Sequence, residues 1–316
     1  MIRIALAGCG EHSRTSHAAP LARYAALHPE EVKLVAACDL NAAKANEFCQ
    51  SFGFRREYDN LDQMLEAEKP DACVCVMPME KIVEVGIKLL QRRIPCVIEK
   101  PLGTSLVEIE RLAQVARKTQ TAHMVSVNRR FMPFLNQARS WMQEHGPLLY
   151  VRASQVRHQR SEADFIWSTA IHVLDALRYI AGEVDKFEVT MPHTTWYLIE
   201  LKFKDGTTGH VEILPTAGMV EESYELFAEG CRARVTAGSG TQRSLECWQD
   251  GKLVVEAHAK EEEPEDLRNG SYQEVEEFVR ALRTGKRPQP TIEDIVPSAR
   301  ISFEIAKSVA GTQRAD

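Results

Sequence analysis

Two hydrophobic periods divide the chain. Over its first 128 positions, short apolar runs alternate with stretches in which apolar residues recur every three to four positions. The runs at 2–7, 32–38, 71–76, 95–98 and 124–127 are almost continuously apolar or small, and 54–58 is a shorter one. Such runs are strands of a parallel sheet covered on both faces. Between them, Leu21, Tyr24, Ala25 and Leu27 mark a helix from about Thr15, others begin near Ala42 and Leu61, Ile82, Val83, Gly86 and Leu89 mark a fourth, and 105–118 a fifth. Strand-helix alternation of this kind implies right-handed crossovers and a doubly wound sheet.

From Leu148 the period becomes two. Alternating strands are expected at 150–157, 187–191, 196–203, 208–214, 224–228, 232–236, 244–248 and 253–257, with Asp205-Gly206 and Asp250-Gly251 as hairpin turns. Helical spacing returns around His172, at Tyr272, Val275, Phe278, Val279 and Leu282, and from Ile292 to Val309. The fold class expected is α/β plus α+β: a Rossmann domain over 1–122, then a domain over 123–290 built on a large, mostly antiparallel open sheet. The last helix, 292–310, is expected to pack back on the first domain.

Composition narrows the function. A chain of 316 residues suits two domains, and a net charge of −6 gives no footprint for nucleic acid. No stretch approaches the ~20 apolar residues of a membrane span. The chain runs straight into a strand, with no signal-peptide pattern. The eight cysteines lie mostly inside apolar runs, the pattern of reduced, buried thiols in a cytoplasmic protein. No Cys/His set has metal-ligand spacing, so no metal is expected.

Candidate chemistry sits at the ends of the strands, where ligands bind in open α/β sheets. Gly8-Cys9-Gly10 follows the first strand and opens a helix, the context of a dinucleotide fingerprint. Its glycines let the backbone approach a pyrophosphate, and the helix N-terminus offers free amides there. Glu11 and His12 follow, and Ser13 stands where Gly or Ala is usual. Asp39 ends the second strand, where a carboxylate either accepts from an adenosine ribose diol or caps the next helix, for which Asn41 is the better candidate. A carboxylate here repels a 2′-phosphate, which favours NAD without excluding NADP. Met77 and Pro78 end the fourth strand, and Glu99-Lys100-Pro101-Leu102-Gly103 ends the fifth. A lysine held there is able to hydrogen-bond a substrate hydroxyl and exchange its proton. In the second domain, His172 and Asp175 share one helical face, so the carboxylate is expected to fix the imidazole tautomer. Arg130 and Trp167 suit a polyhydroxylated or anionic substrate, with an ion-pair role for Arg130 as the alternative.

Gly8-Cys9-Gly10, Asp39, Pro78, Glu99-Lys100-Pro101-Leu102-Gly103 and Asn128-Arg129-Arg130-Phe131 occur in one order and spacing. Through them the sequence resembles the Gfo/Idh/MocA oxidoreductases over nearly its whole length. The resemblance implies an NAD(P)-dependent dehydrogenase of a sugar, inositol or similar polyol. It implies that Lys100 contacts the reacting hydroxyl, that His172 is the catalytic histidine, and that subunits pair through the large sheet. Two positions depart from the family pattern around His172: Ser168 stands where Asp is usual and Ala170 where Gly is usual. Ile82 replaces a histidine in the helix after Pro78. These departures leave a second reading, a cofactor-binding sensor without turnover.

Overall fold

Six strands line up in parallel in the order β3-β2-β1-β4-β5-β6: β1 Ile2–Ala7, β2 Val32–Cys38, β3 Arg56–Tyr58, β4 Ala72–Cys75, β5 Cys96–Glu99 and β6 His123–Ser126. The computed structural model describes residues 1–238 and 243–312. The central strands are buried because both their faces carry helices; Ile4, Leu6, Val35, Cys73 and Ile98 have at most a trace of exposure. The strand order reverses its winding between β1 and β4, the switch point at which such sheets bind ligands. Asn41, Asn60 and Ser105 each accept from an amide of the following first turn and start their helices at fixed places.

The second sheet has eight strands in the order β14-β13-β12-β11-β7-β10-β9-β8. They are β7 Tyr150–Val156, β8 Val184–His193, β9 Trp196–Phe203, β10 Thr208–Leu214, β11 Glu221–Ala228, β12 Cys231–Ala237, β13 Arg243–Gln249 and β14 Lys252–His258. Every neighbouring pair is antiparallel except β7 and β10. One face is apolar and packs on helices Pro133–His145 and Ile171–Ala181. The parallel and the mostly antiparallel sheet are the two architectures that the two periods imply.

The chain divides into two compact units, Met1–Asn128 with Gly270–Val296, and Arg129–Asn269 with the chain from Pro297 on. Helix Ser271–Thr284, expected in the second domain, belongs to the first. Its Tyr272 ring lies 6.0 Å from that of Tyr24, and its Glu274 accepts from Ser126 Oγ at 2.9 Å. The last helix, Ile292–Thr312, contains Pro297, and the division falls there. Only its first turn goes with the parallel sheet; Ile301, Ile305 and Val309 are in the core of the second unit. The expectation that 292–310 packs back on the first domain fails past that turn. Both errors have one cause: helical spacing gives the face a helix buries, not the sheet that covers it. Among the described residues no helix is long and apolar enough to cross a membrane.

Candidate functional site

The turn after β1 is built for close approach. Gly8 has φ +97°, and a Cβ there would lie 1.9 Å from the Val76 carbonyl oxygen. No side chain fits. Gly8→Ala is therefore expected to cost at least ~2 kcal/mol, the sum of left-handed strain and displacement of the strand end after β4. Urea unfolding measures this, and wild-type stability in that variant would contradict the geometry. Gly10 is different. Its φ of −85° suits any residue, and a Cβ there would meet nothing within 4 Å. The helical ladder begins with Arg14 N–H donating to the Gly10 carbonyl at 2.9 Å, so the amides of Glu11, His12 and Ser13 precede its first bond. Bare backbone, unclaimed amides and open space form a cradle of the kind a pyrophosphate fills.

Asp39 supports this turn. One carboxylate oxygen accepts from Cys9 N–H at 2.8 Å and the other from Asn41 N–H at 2.9 Å. Asn41 is the helix cap, accepting from Ala43 N–H. A carboxylate has about four acceptor positions, so Asp39 keeps capacity for a ribose diol. Dinucleotide chemistry thus fits these residues. The Ser13 side chain does not join them: it is fully buried, which leaves only its amide to the cradle. Glu11 is exposed and faces Arg14 at 3.6 Å. Ile82 is buried in the core of the same unit, which accounts for an apolar residue there.

The helix after the turn starts at Glu11, earlier than its apolar spacing suggests, and passes through a π turn at Arg14–Ala18. A π turn adds a residue to the helical repeat and often marks a site. Here it accompanies burial of His17 against β5. His17 Nε2 lies 2.7 Å from one oxygen of Glu99, and His12 Nε2 lies 3.2 Å from the other. Burial would raise the Glu99 pKa, but the two imidazole hydrogen bonds outweigh it and hold the carboxyl well below the usual range. Glu99 is thus an anion fixed by two histidines. His17 carried no signal in the sequence, because the π turn shifts the register by which its face is read. Lys100 emerges half-buried from β5, and Met77 and Pro78 follow β4, with Pro78 opening helix Met79–Gln91.

Where the second unit begins, the Asn128–Phe131 turn sends two arginines, Arg129 and Arg130, to two anchors. Arg129 donates from Nε and Nη2 to Glu222 on β11, at 3.0 and 2.7 Å. Arg157 also donates to Glu222, Gln155 donates at 3.2 Å, and Tyr224 at 3.0 Å. Burial would raise the Glu222 pKa, but the charges of Arg129 and Arg157, with a smaller contribution from His172, hold it well below the usual range. Sequence reading missed Glu222, since a glutamate beginning an alternating strand looks solvent-facing.

Arg130 donates from Nε and Nη2 to Asp175, both at 2.8 Å, and lies over the Tyr179 ring. Asp175 also accepts from Ser298 at 2.5 Å. This corrects one expectation, for Asp175, and realises the ion-pair alternative for Arg130. Asp175 is fully buried and its hydrogen bonds go to Arg130 and Ser298, not to His172. Arg130 is an ion-pair residue of the interior, which removes its two inner donors from substrate. Ser168 is buried at the end of helix Phe165–Ser168 and His172 at the start of helix Ile171–Ala181, and the Trp167 ring stacks on Phe303 at 4.9 Å.

Comparison with known proteins finds the same fold. Residues 2–128 match the model of the GFO_IDH_MocA oxidoreductase family, NAD-binding Rossmann fold. Myo-inositol 2-dehydrogenase of Thermotoga maritima is 20% identical, the alignment covering 92% of this chain and 94% of that one. An uncharacterised protein of Saccharomyces cerevisiae is 23% identical over 150 residues, 47% of this chain and 42% of that protein, so this match spans under half of the relative's length. The crystal structure of a Gfo/Idh/MocA family oxidoreductase from Vibrio cholerae superposes with a TM-score of 0.85 at 20% identity, covering 99% of this chain and all of that one. Residues 2–128 thus match the NAD-binding Rossmann domain of the Gfo/Idh/MocA oxidoreductases, and the whole chain shares its fold with a member of that family.

Proposed function

We propose that the protein is an NAD-dependent dehydrogenase acting on a hydroxyl-bearing carbon of a sugar, inositol or related polyol. The observation that carries this reading is the pairing of an open Gly10 cradle with Lys100 at the end of β5, both at the carboxyl edge of one parallel sheet. The inositol activity printed for the Thermotoga relative points to the same substrate class. The cofactor, when bound, accepts or supplies the hydride. Gly8, Gly10, Glu11, His12 and Ser13 would hold its pyrophosphate through backbone, Asp39 its adenosine ribose, and Met77, Pro78 and Glu99 would border the nicotinamide. Lys100 would hydrogen-bond the reacting hydroxyl. His172 would take or return its proton. Pairing of two copies through the large sheet belongs to the same reading.

Nicotinamide fluorescence titrations test it. NADH is expected to bind at least about tenfold tighter than NADPH, because the Asp39 carboxylate repels a 2′-phosphate. Asp39→Asn should narrow that ratio. Gly10→Ala should weaken NADH binding without changing the melting temperature, since its backbone accepts a side chain and only a ligand would meet it. Equal binding of both nucleotides by wild type would remove the NAD preference. NADH binding with no turnover of any polyol would leave the sensor reading.

A further inference from the structure

We propose that His12, His17 and Glu99 form a binding site for a borderline divalent cation, zinc foremost. The two Nε2 atoms and a Glu99 oxygen lie within 4.8 Å of one another. The individual separations, 3.2 Å from His12 to one carboxylate oxygen and 2.7 Å from His17 to the other, are both somewhat shorter than the spacing that zinc asks of its ligands. Zinc bonds of about 2.0–2.2 Å in a tetrahedron put ligand atoms roughly 3.4 Å apart. A modest outward turn of the two rings makes room for the ion. The histidines then exchange a hydrogen bond to the carboxylate for a lone pair on the metal. Three protein ligands leave a fourth position for water.

The framework is fixed and has an entrance. His17 and Glu99 are buried, one on the π turn and the other on β5, so neither has to be ordered on binding. The His12 side chain is 54% exposed. Its Nδ1 lies 3.4 Å from Ser16 Oγ, which is placed to orient the ring from the outer shell. A buried carboxylate needs one good partner, and His17 supplies it. The second imidazole, half in solvent yet aimed at the other oxygen, is what a purely structural pair does not require. Two nitrogen ligands select zinc, nickel or copper over magnesium and calcium, which prefer all-oxygen sites. The other such grouping among the described residues, His28, Glu30 and Glu31, is weaker, because Glu31 is held by Tyr24 at 2.6 Å and by Arg283.

Calorimetric titration of zinc into chelator-stripped full-length protein, kept reduced, tests the site. Wild type should bind one zinc per chain. His12→Ala, at a half-exposed position, should weaken binding by more than about 100-fold, beyond what loss of an outer-shell partner produces. His17→Gln, checked for folding by thermal melting, should do the same. Magnesium should give no isotherm. Zinc binding unchanged in His12→Ala, or no binding short of millimolar zinc, overturns the proposal. Binding abolished instead by Cys49→Ser, the most exposed of the thiols, also overturns it by assigning the ion to sulfur.

Discussion

Lys100→Met is expected to lower kcat on the polyol substrate by about two to four orders of magnitude, the usual worth of a positioned acid–base group. NADH affinity and melting temperature should hardly change. Methionine keeps the length of the aliphatic stem, so the packing around the half-buried side chain survives and only the ammonium is lost. Lys100→Arg sharpens the test. A guanidinium keeps the charge and the donors but stays protonated at any working pH. If Lys100 only binds the hydroxyl, arginine should preserve most of kcat and the loss should fall on KM. If it exchanges the proton, both variants should fail in kcat. Turnover unchanged in Lys100→Met would end the assignment of this lysine to the reaction.

The site was legible where chemistry is carried by backbone position and illegible where it is carried by contacts between distant residues. Gly8 could be read because a strand running into Gly-x-Gly has few conformational solutions, and its φ of +97° is one of them. Lys100 could be read because a proline next to it ends a buried strand. Asp175 was misread for the opposite reason. Its place on a helical face beside His172 was right, but a carboxylate three residues away on one helix competes poorly with a bidentate guanidinium, and Arg130 reaches it from 45 positions away. His17 and Glu222 follow the same rule, since their partners lie 82 and up to 93 positions away in the chain. The fold was legible from two hydrophobic periods. The unit to which each late helix belongs was not, because an amphipathic face does not name its partner.

Glu222→Gln is expected to destabilise the protein by about 3–5 kcal/mol at pH 7, the range for removing one member of a buried ion cluster. Glu222 is 3% exposed, and Arg129, Arg157, Gln155 and Tyr224 all donate to it. A glutamine keeps the shape but leaves two guanidinium groups facing a neutral amide, one of whose ends is itself a donor. The pH dependence identifies the charge as the cause. Against the effect of burial, the charges of Arg129 and Arg157 hold the folded-state pKa of Glu222 well below the ordinary glutamate value of 4.5. Its contribution is therefore fully present above about pH 4.5 and is lost as pH falls toward the folded-state value. Urea unfolding should show the full gap between wild type and Glu222→Gln at pH 7, narrowing below pH 4.5 as the wild type loses what the variant never had. A gap that stayed constant down to strongly acidic pH would mean that shape and hydrogen bonding, not charge, hold β11 to the Asn128–Phe131 turn. Equal stability at pH 7 would mean that the arginines find other partners, and that the Asn128–Phe131 turn is anchored elsewhere.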